Sequence, residues 1–333
     1  MTTDFSVIVP VYNTAAWVEK CLRSILDQVD VTIELIVIDD GSTDNSLQVC
    51  ESIAADESRL HITTKVNEGQ GVARNLGLTM ATGRYVIFVD SDDWIEPDLC
   101  VQMRALLEQS AADFANFGLG FYNEQGRLIR TRGIADRTEL CGRAIFECAL
   151  LDRYIMTSPC NKVYRRSFLV KNDLRFPRVR AFEDAYFSRL VALAAQHVVF
   201  SKRSLYNVRV RQGSTSRSLT HWHFAEAQQL IALERDAFKE QLADVDIALL
   251  FKAHIVKMLT HLLIILVFRS ADISDINRCY VIASESGYFL YARDRRVLAQ
   301  LTVRERLYAF VASRRMLAQF AGRCGRLLGV SPQ

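Results

Sequence analysis

The sequence predicts an α/β protein: a doubly wound, mostly parallel sheet with an added hairpin, followed by a C-terminal helical extension. Three observations carry this prediction. Continuous apolar runs alternate with helix-period segments over the first hundred residues, the pattern of parallel strands buried on both faces. Two clusters of acidic residues fall directly after two of those runs. Beyond about residue 220, helical periodicity takes over almost completely.

Residues 7–11, 33–38 and 85–89 read as buried strands, with 60–64 as a weaker fourth. Thr14 is a helix-start signal, and Trp17, Val18, Cys21, Leu22 and Ile25 behind it form one apolar stripe. A second helix follows the polar cluster 42–46 and turns Leu47, Cys50, Ile53 and Ala54 inward. A third begins near Gly71 and carries Ala73, Leu76 and Met80. Residues 114–122, a turn at 123–126 and residues 128–131 read as the hairpin, and 140–152 and 183–196 as helices.

In the extension, the apolar stretch 247–268 is interrupted by Lys252, His254, Lys257 and His261, so it is no clean membrane span and reads as a helix packed in a bundle, with a membrane-interface helix as the alternative. His254 and His261 are about 10 Å apart along such a helix, too far to share one ion. Thr302-x-x-Glu305 is a capping-box signature and predicts a helix over 303–321, around which the arginines and the apolar residues are dispersed.

Composition narrows the function. With 50% hydrophobic and 24% charged residues the chain has the make-up of a soluble globular protein. A formal charge of +3 does not suit nucleic acid as a partner. Residues 291–333, however, hold nine Arg against Asp294 and Glu305, a basic tail on a net-acidic body that suits either peripheral contact with an anionic membrane or an Arg-rich helix packed on the body. The start MTTDFSVIVPVYN lacks a basic region and a long apolar run, so it does not read as a signal peptide. Eight cysteines without a C-x-x-C pair support neither a zinc motif nor a redox motif, and they fit a reducing cytoplasm.

Ligands of an open parallel sheet bind at the carboxyl ends of its strands. Those ends are Pro10-Val11-Tyr12-Asn13, Asp39-Asp40-Gly41-Ser42 and Asp90-Ser91-Asp92-Asp93. Like charges gathered at one edge are unfavourable unless a cation or hydrogen-bond donors occupy the site. Asp40 suits a ribose hydroxyl or a base N–H. Asp90 and Asp92 suit Mn or Mg, which prefer oxygen ligands and are useful beside phosphates. The stretch from Gly69 to Asn75 offers a loop, a helix start and the Arg74 guanidinium, a combination for a base or phosphate. The 39–46 segment also reads as a turn with a helix cap, and Arg74 as a surface ion-pair partner. No glycine fingerprint follows the first strand and no P-loop string occurs, which excludes the common dinucleotide and ATP folds.

The segments SVIVPVYNTAAWVEKCLRSILDQ, ELIVIDDGSTDNS, NEGQGVARNLGL and GRYVIFVDSDDWIEPD strongly resemble the large inverting, nucleotide-sugar-dependent glycosyltransferase family of GT-A fold, many of whose members build bacterial capsules, O-antigens and exopolysaccharides. The resemblance is close over 4–100 and looser to about 218. It implies that Asp40 contacts the donor's uracil or ribose, that Tyr12 and Pro10 line the base pocket, and that Arg74 lies nearby. Asp90 and Asp92 stand at the Asp-x-Asp positions, with Asp92 the implied ligand of Mn or Mg. SPCNKVYRRSFL offers Asn161 and Lys162 on the acceptor side. RAFEDAYFSRL offers Asp184 as general base and Glu183 to orient the acceptor. LYNVRVRQGSTSRS contains Arg209, Arg211 and Ser214.

Arg211 departs from the pattern, since relatives often carry a His there that in some completes the metal shell. A guanidinium cannot be a ligand. Either water takes the position or Arg211 pairs with the pyrophosphate.

The resemblance implies a donor-binding half over 1–105, an acceptor-binding half over 106–220 and a helical extension over 221–333. It implies metal-dependent transfer, with inversion, from a nucleotide sugar (UDP by resemblance) to a glycan or lipid-linked glycan on the cytoplasmic side. The alternatives are a catalytically inactive sugar-nucleotide-binding scaffold and a nucleotidyltransferase. Retention of Asp90, Asp92 and Asp184 speaks against the first, and the missing glycine- and lysine-rich phosphate loop against the second.

Overall fold

Four parallel strands form one half of the sheet in the computed structural model, which describes residues 3–133, 137–211, 222–269 and 273–314. They are β1 (Phe5–Val11), β2 (Ile33–Asp39), β3 (Leu60–Thr64) and β4 (Tyr85–Phe88), in the spatial order β3-β2-β1-β4. All seven residues of β1 are buried, as expected of a strand covered on both faces. The crossovers are α1 (Val18–Leu26), α2 (Ser46–Ala54) and α3 (Gln70–Met80). In α1, Val18, Cys21, Leu22 and Ile25 are fully buried at helical spacing. Thr14 does not cap this helix. Its carbonyl accepts from Trp17 N at 2.9 Å, while its hydroxyl bonds Ser91 Oγ at 3.0 Å and so ties the first sheet-edge loop to the last.

The other half reverses direction twice. It contains β5 (Trp94–Ile95), α4 (Leu99–Glu108), β6 (Phe114–Tyr122), β7 (Leu128–Arg132), β8 (Glu139–Cys141), α5 (Arg143–Leu150), β9 (Lys162–Arg165), α6 (Arg166–Lys171), α7 (Glu183–Ala194) and β10 (His197–Arg209). The sheet continues β4-β9-β6-β10-β5, with β7 on β6 and β8 on the start of β10. Strand β9 is antiparallel to both neighbours and β10 is parallel to β6, so β10 ends at the same sheet edge as β1, β2 and β4. That topology delivers Arg209 and Arg211 to the edge where the acidic clusters lie. The hairpin of β6 and β7 forms as the sequence predicts.

Two elements differ from the sequence reading. The helix placed at 140–152 begins only at Arg143, because Leu140 alternates as the one buried residue between exposed Glu139 and Cys141 in β8. The thirteen-residue β10 had no clear strand signal, since its middle is polar and partly exposed and its pairing with β6 shifts register between Phe200 and Tyr206.

Contacts divide the chain into units Met1–Gln212 and Gly213–Gln333. The second contains α8 (Trp222–Ala237), α9 (Val245–Arg269), α10 (Ile273–Glu285), α11 (Tyr288–Tyr291), α12 (Arg295–Ala299) and α13 (Val303–Ala312). Helix α9 is long and apolar enough to cross a membrane, but 67% of its most apolar window is buried and the other helices pack around it. His254 is buried on it, 3.1 Å from Glu234, whereas His261 is exposed. The capping box at the start of α13 is present: Thr302 Oγ1 accepts from Glu305 N, and Thr302 N donates to Glu305 Oε2. The helix runs to Ala312, and residues 315–321 of the expected span lie outside the described residues. Of its exposed apolar residues, Val303, Leu307 and Phe310 follow one another at helical spacing, while Tyr308 lies on another face.

Candidate active site

The first loop of the edge is braced by hydrogen bonds within the polypeptide. Asn13 adopts φ 52°, a left-handed conformation that Asn tolerates better than most residues. Its Oδ1 accepts from Thr43 N at 2.8 Å and Asp44 N at 3.3 Å, and Thr14 N donates to Ser46 Oγ at 2.8 Å. Residues 43–46 therefore form the turn and loop brace, and Asp39 before them is buried with its Oδ1 accepting from Ser42 N at 3.3 Å. Sequence reasoning passed over Asn13, whose tolerance of positive φ was the available signal. Pro10 is buried inside β1 and presents no face to a ligand; Tyr12, 47% exposed, is the one of the pair free to meet a base.

Asp40 is 3% exposed and fully bonded. Its Oδ1 accepts from Lys65 Nζ at 2.6 Å and Glu68 N at 3.1 Å, and its Oδ2 from Gly69 N at 2.8 Å. The carboxylate thereby fixes the loop before α3. Gly41 makes that approach feasible, with φ 74° and backbone so close that a Cβ would lie 3.0 Å from Asn67 N.

Arg74 is the centre of the arrangement and is wholly inaccessible. Nη2 bonds Asp90 Oδ1 at 2.8 Å, and Nη1 bonds Asp184 Oδ1 at 2.5 Å and Glu183 Oε1 at 3.4 Å. It is neither the surface ion-pair partner nor an open phosphate donor of the sequence reading. A guanidinium fork held by three carboxylates joins the end of β4 to the start of α7. Gln70 Nε2 adds a bond to Asp90 Oδ1 at 2.7 Å, and Asp90 N donates to Tyr206 Oη at 3.0 Å. Asn75 holds the loop before α7 by exchanging two 2.9 Å bonds with Phe176. Gln70, Asn75 and Tyr206 carry no charge and were not singled out from the sequence.

Glu183 and Asp184 open α7, where the helix dipole favours acids. They lie against the first turn of α3: a Cβ on Gly71 would be 3.2 Å from Glu183 Cγ. Burial and the adjacent Asp184 push Glu183 up to about 8, against the pull of Arg74. Burial also raises Asp184, with Arg74 opposing and Asp90 adding to the rise. At neutral pH, Glu183 is thus the protonated member of the pair, and Asp184 keeps 35% of its side chain exposed.

Asp92 meets Arg211, Nε to Oδ2 at 2.8 Å, and the Arg211 guanidinium lies 4.5 Å over the Trp17 ring. Arg209 Nε donates to Asp92 O at 3.0 Å, and Arg209 N to Asp93 Oδ1 at 2.7 Å. Ser214 lies outside the described residues. Asn161 and Lys162, assigned to the acceptor side, are both fully buried. Lys162 Nζ donates to the carbonyls of Met156 and Ser158 and to Asn161 Oδ1, and Asn161 Nδ2 to Phe117 O. In this structure the two shape the wall behind the site and offer no surface to an acceptor.

Among the described residues, the one trio of His, Cys or acidic side chains with converging ligand atoms is Glu139, Cys141 and His197, at the far end of β10 from this site. The site itself nevertheless fits a divalent cation. Four carboxylates (Asp90, Asp92, Glu183 and Asp184) share two bound guanidiniums, Arg74 and Arg211, and a fifth, Asp93, accepts from the Arg209 backbone. Burial and the neighbouring acids raise Asp92 and Asp93, which marks an edge short of positive charge.

The model of Glycosyl transferase family 2 matches residues 6–172. Glycosyltransferase GlyA of Streptococcus pneumoniae is 33% identical over 222 residues, 65% of this chain and 32% of that protein. The putative glycosyltransferase EpsH of Bacillus subtilis is 33% identical over 217 residues, 64% of this chain and 62% of that protein. The chain thus matches less than two thirds of the length of these relatives. Among solved structures, Staphylococcus aureus TarS 1–349 in complex with UDP-GlcNAc superposes with a TM-score of 0.69 at 21% identity, covering 99% of this chain and 93% of that one. That likeness establishes the shared fold, an α/β sheet with a C-terminal helical region.

Proposed function

Since the chain belongs to glycosyl transferase family 2, we propose that it transfers a sugar from a nucleoside diphosphate, UDP, to a glycan or lipid-linked glycan acceptor in cell-surface polysaccharide synthesis, inverting the anomeric carbon. The observation that carries this reading is the Arg74 fork, which holds a donor-side carboxylate and a candidate base in one frame. The UDP-sugar complex of a protein with the same fold supports the choice of donor.

In the proposed reaction, exposed Tyr12 stacks on the base, and Asp40 with its loop defines the edge of the base and ribose pocket. Asp184 takes the proton of the acceptor hydroxyl as its oxygen bonds to the anomeric carbon. The bond from that carbon to the diphosphate breaks on the opposite face, and UDP departs. A carboxylate raised by burial is a stronger base than one in water, and Arg74 opposes the rise. Neutral Glu183 donates a hydrogen bond, orienting Asp184 or the acceptor. Asp92, with Asp90 beside it, would hold a divalent cation, which supplies positive charge to the diphosphate as it leaves. Arg211 reaches the same region and can pair with phosphate oxygens when released from Asp92. We place the enzyme on the cytoplasmic side, at the membrane where a lipid-linked acceptor is met.

A screen of UDP-sugars with the purified chain, Mn or Mg and candidate acceptors, run with and without EDTA, tests the assignment. Metal-dependent release of UDP with formation of a glycoside is the expected result. Binding of UDP-sugars with no turnover on any acceptor would favour the inactive scaffold instead.

A further inference from the structure

We propose that the outer face of α13 docks on a membrane surface rich in anionic phospholipid. The argument starts from exposure. Val303 is 77% exposed, Leu307 59% and Phe310 50%, on a helix that buries only Ala309 and Ala312. At about 100° per residue these three side chains fall within about 60° of one another, a continuous apolar ridge. Arg304 and Arg306 lie on either side of the ridge, and Arg314 continues it one turn on with its guanidinium 3.6 Å over the Phe310 ring. All three arginines are exposed.

The one acid of this helix faces the other way. Glu305 is held by Thr302 N at 2.8 Å and by Lys257 of α9 at 3.4 Å, so the ridge and its flanks carry only positive charge. The sequence beyond, 315–333, adds Arg315, Arg323 and Arg326 and no acid.

An apolar ridge between two cationic margins is the arrangement of a helix lying in the headgroup layer. Its side chains enter the acyl boundary while the arginines reach sideways to phosphate. A second copy of this chain is a poorer occupant, because a twofold contact on the ridge would bring the same arginines together without acids to receive them. With ten residues α13 is too short to span a bilayer. The surface is argued from α13 alone, and it gives the membrane location included in the proposed function a physical basis that does not depend on the transfer reaction.

The full chain is sedimented with vesicles of phosphatidylcholine alone and of phosphatidylcholine with phosphatidylglycerol, at low and high salt. Leu307→Glu/Phe310→Glu removes the ridge, and Arg304→Gln/Arg306→Gln the margins; melting temperature and UDP binding confirm that each variant is folded. Binding is expected only to the anionic vesicles, weakened by salt, and reduced about tenfold or more in either double variant. An unbound parent chain overturns the proposal, as does equal binding by parent and both variants. So does a ridge variant that turns a dimer into a monomer while vesicle binding stays unchanged. Vesicle binding and transfer are separate readouts, so a chain that docks without catalysing, or catalyses without docking, shows which of the two readings fails.

Discussion

The Arg211 guanidinium meets the Asp92 carboxylate at 2.8 Å, and its other contact is the face of Trp17. The side chain in the best position to hold a metal is thus already paired with a cation from the chain. In the proposed function, a metal at Asp92 therefore competes with Arg211 for this carboxylate.

Removing that competitor strengthens the metal site. Arg211→Ala is expected to bind Mn²⁺ about fivefold more tightly than the parent in the absence of nucleotide, in line with the worth of a partly exposed pair. Asp92→Ala is expected to lose Mn²⁺ and the metal-dependent part of UDP affinity together. Titration followed by the electron paramagnetic resonance of free Mn²⁺ measures both. Unchanged Mn²⁺ affinity in Asp92→Ala would show that the metal does not use Asp92.

Asp184 acts on the acceptor in the proposed mechanism. Asp184→Asn keeps the shape but cannot take a proton, so transfer should fall about 10²–10⁴-fold while UDP and metal bind nearly as before. If the residue merely starts α7, the cost is instead about 1 kcal/mol of stability with transfer intact. Transfer rate, UDP affinity and melting temperature on one preparation separate the two.

Arg74 holds three acids from a fully buried position. Arg74→Met leaves them without a cationic partner and is expected to cost about 3–5 kcal/mol in urea unfolding. Arg74→Lys should recover only part of this, because a point charge cannot reproduce the fork. A stable Arg74→Met protein would mean that the acids are neutralised by protonation.

Glu183 gives a pH signature. Its folded pKa of about 8 lies above the ordinary value of 4.5, so between these values the folded chain binds more protons than the unfolded one. This group's contribution to stability therefore declines as pH rises from about 4.5 to 8. Glu183→Gln lacks that decline. Parent and variant should melt alike near about pH 5, and the variant should melt higher by about pH 9; calorimetry across the range checks the sign.

The parallel half of the sheet was legible because β1, β2 and β4 are continuous apolar runs, and the acids at their ends announce a ligand edge. The burial of Arg74 was not, since a guanidinium is placed by partners that lie more than a hundred residues away in Glu183 and Asp184. Lys162 misled for the same reason. A basic residue in a polar motif suggests a surface, whereas three oxygen acceptors around its nitrogen make an interior position tolerable. Strand β10 escaped because its bulged middle breaks the period on which strand recognition depends.

Helix α3 begins at the loop that Asp40 grips and, within about a turn and a half, carries Gly71 against Glu183 and Arg74 against Asp90 and Asp184. In the proposed function, a substitution that shifts this stretch is felt by the base pocket and the proposed catalytic acids together, so neither is readily retuned alone. Variation in donor and acceptor preference must accumulate elsewhere, on side chains such as Tyr12 and Trp17 that reach the site from outside the strut. A library that varies those two and leaves 69–75 untouched should retain folded, active members, whereas one that varies 69–75 should lose nearly all of them.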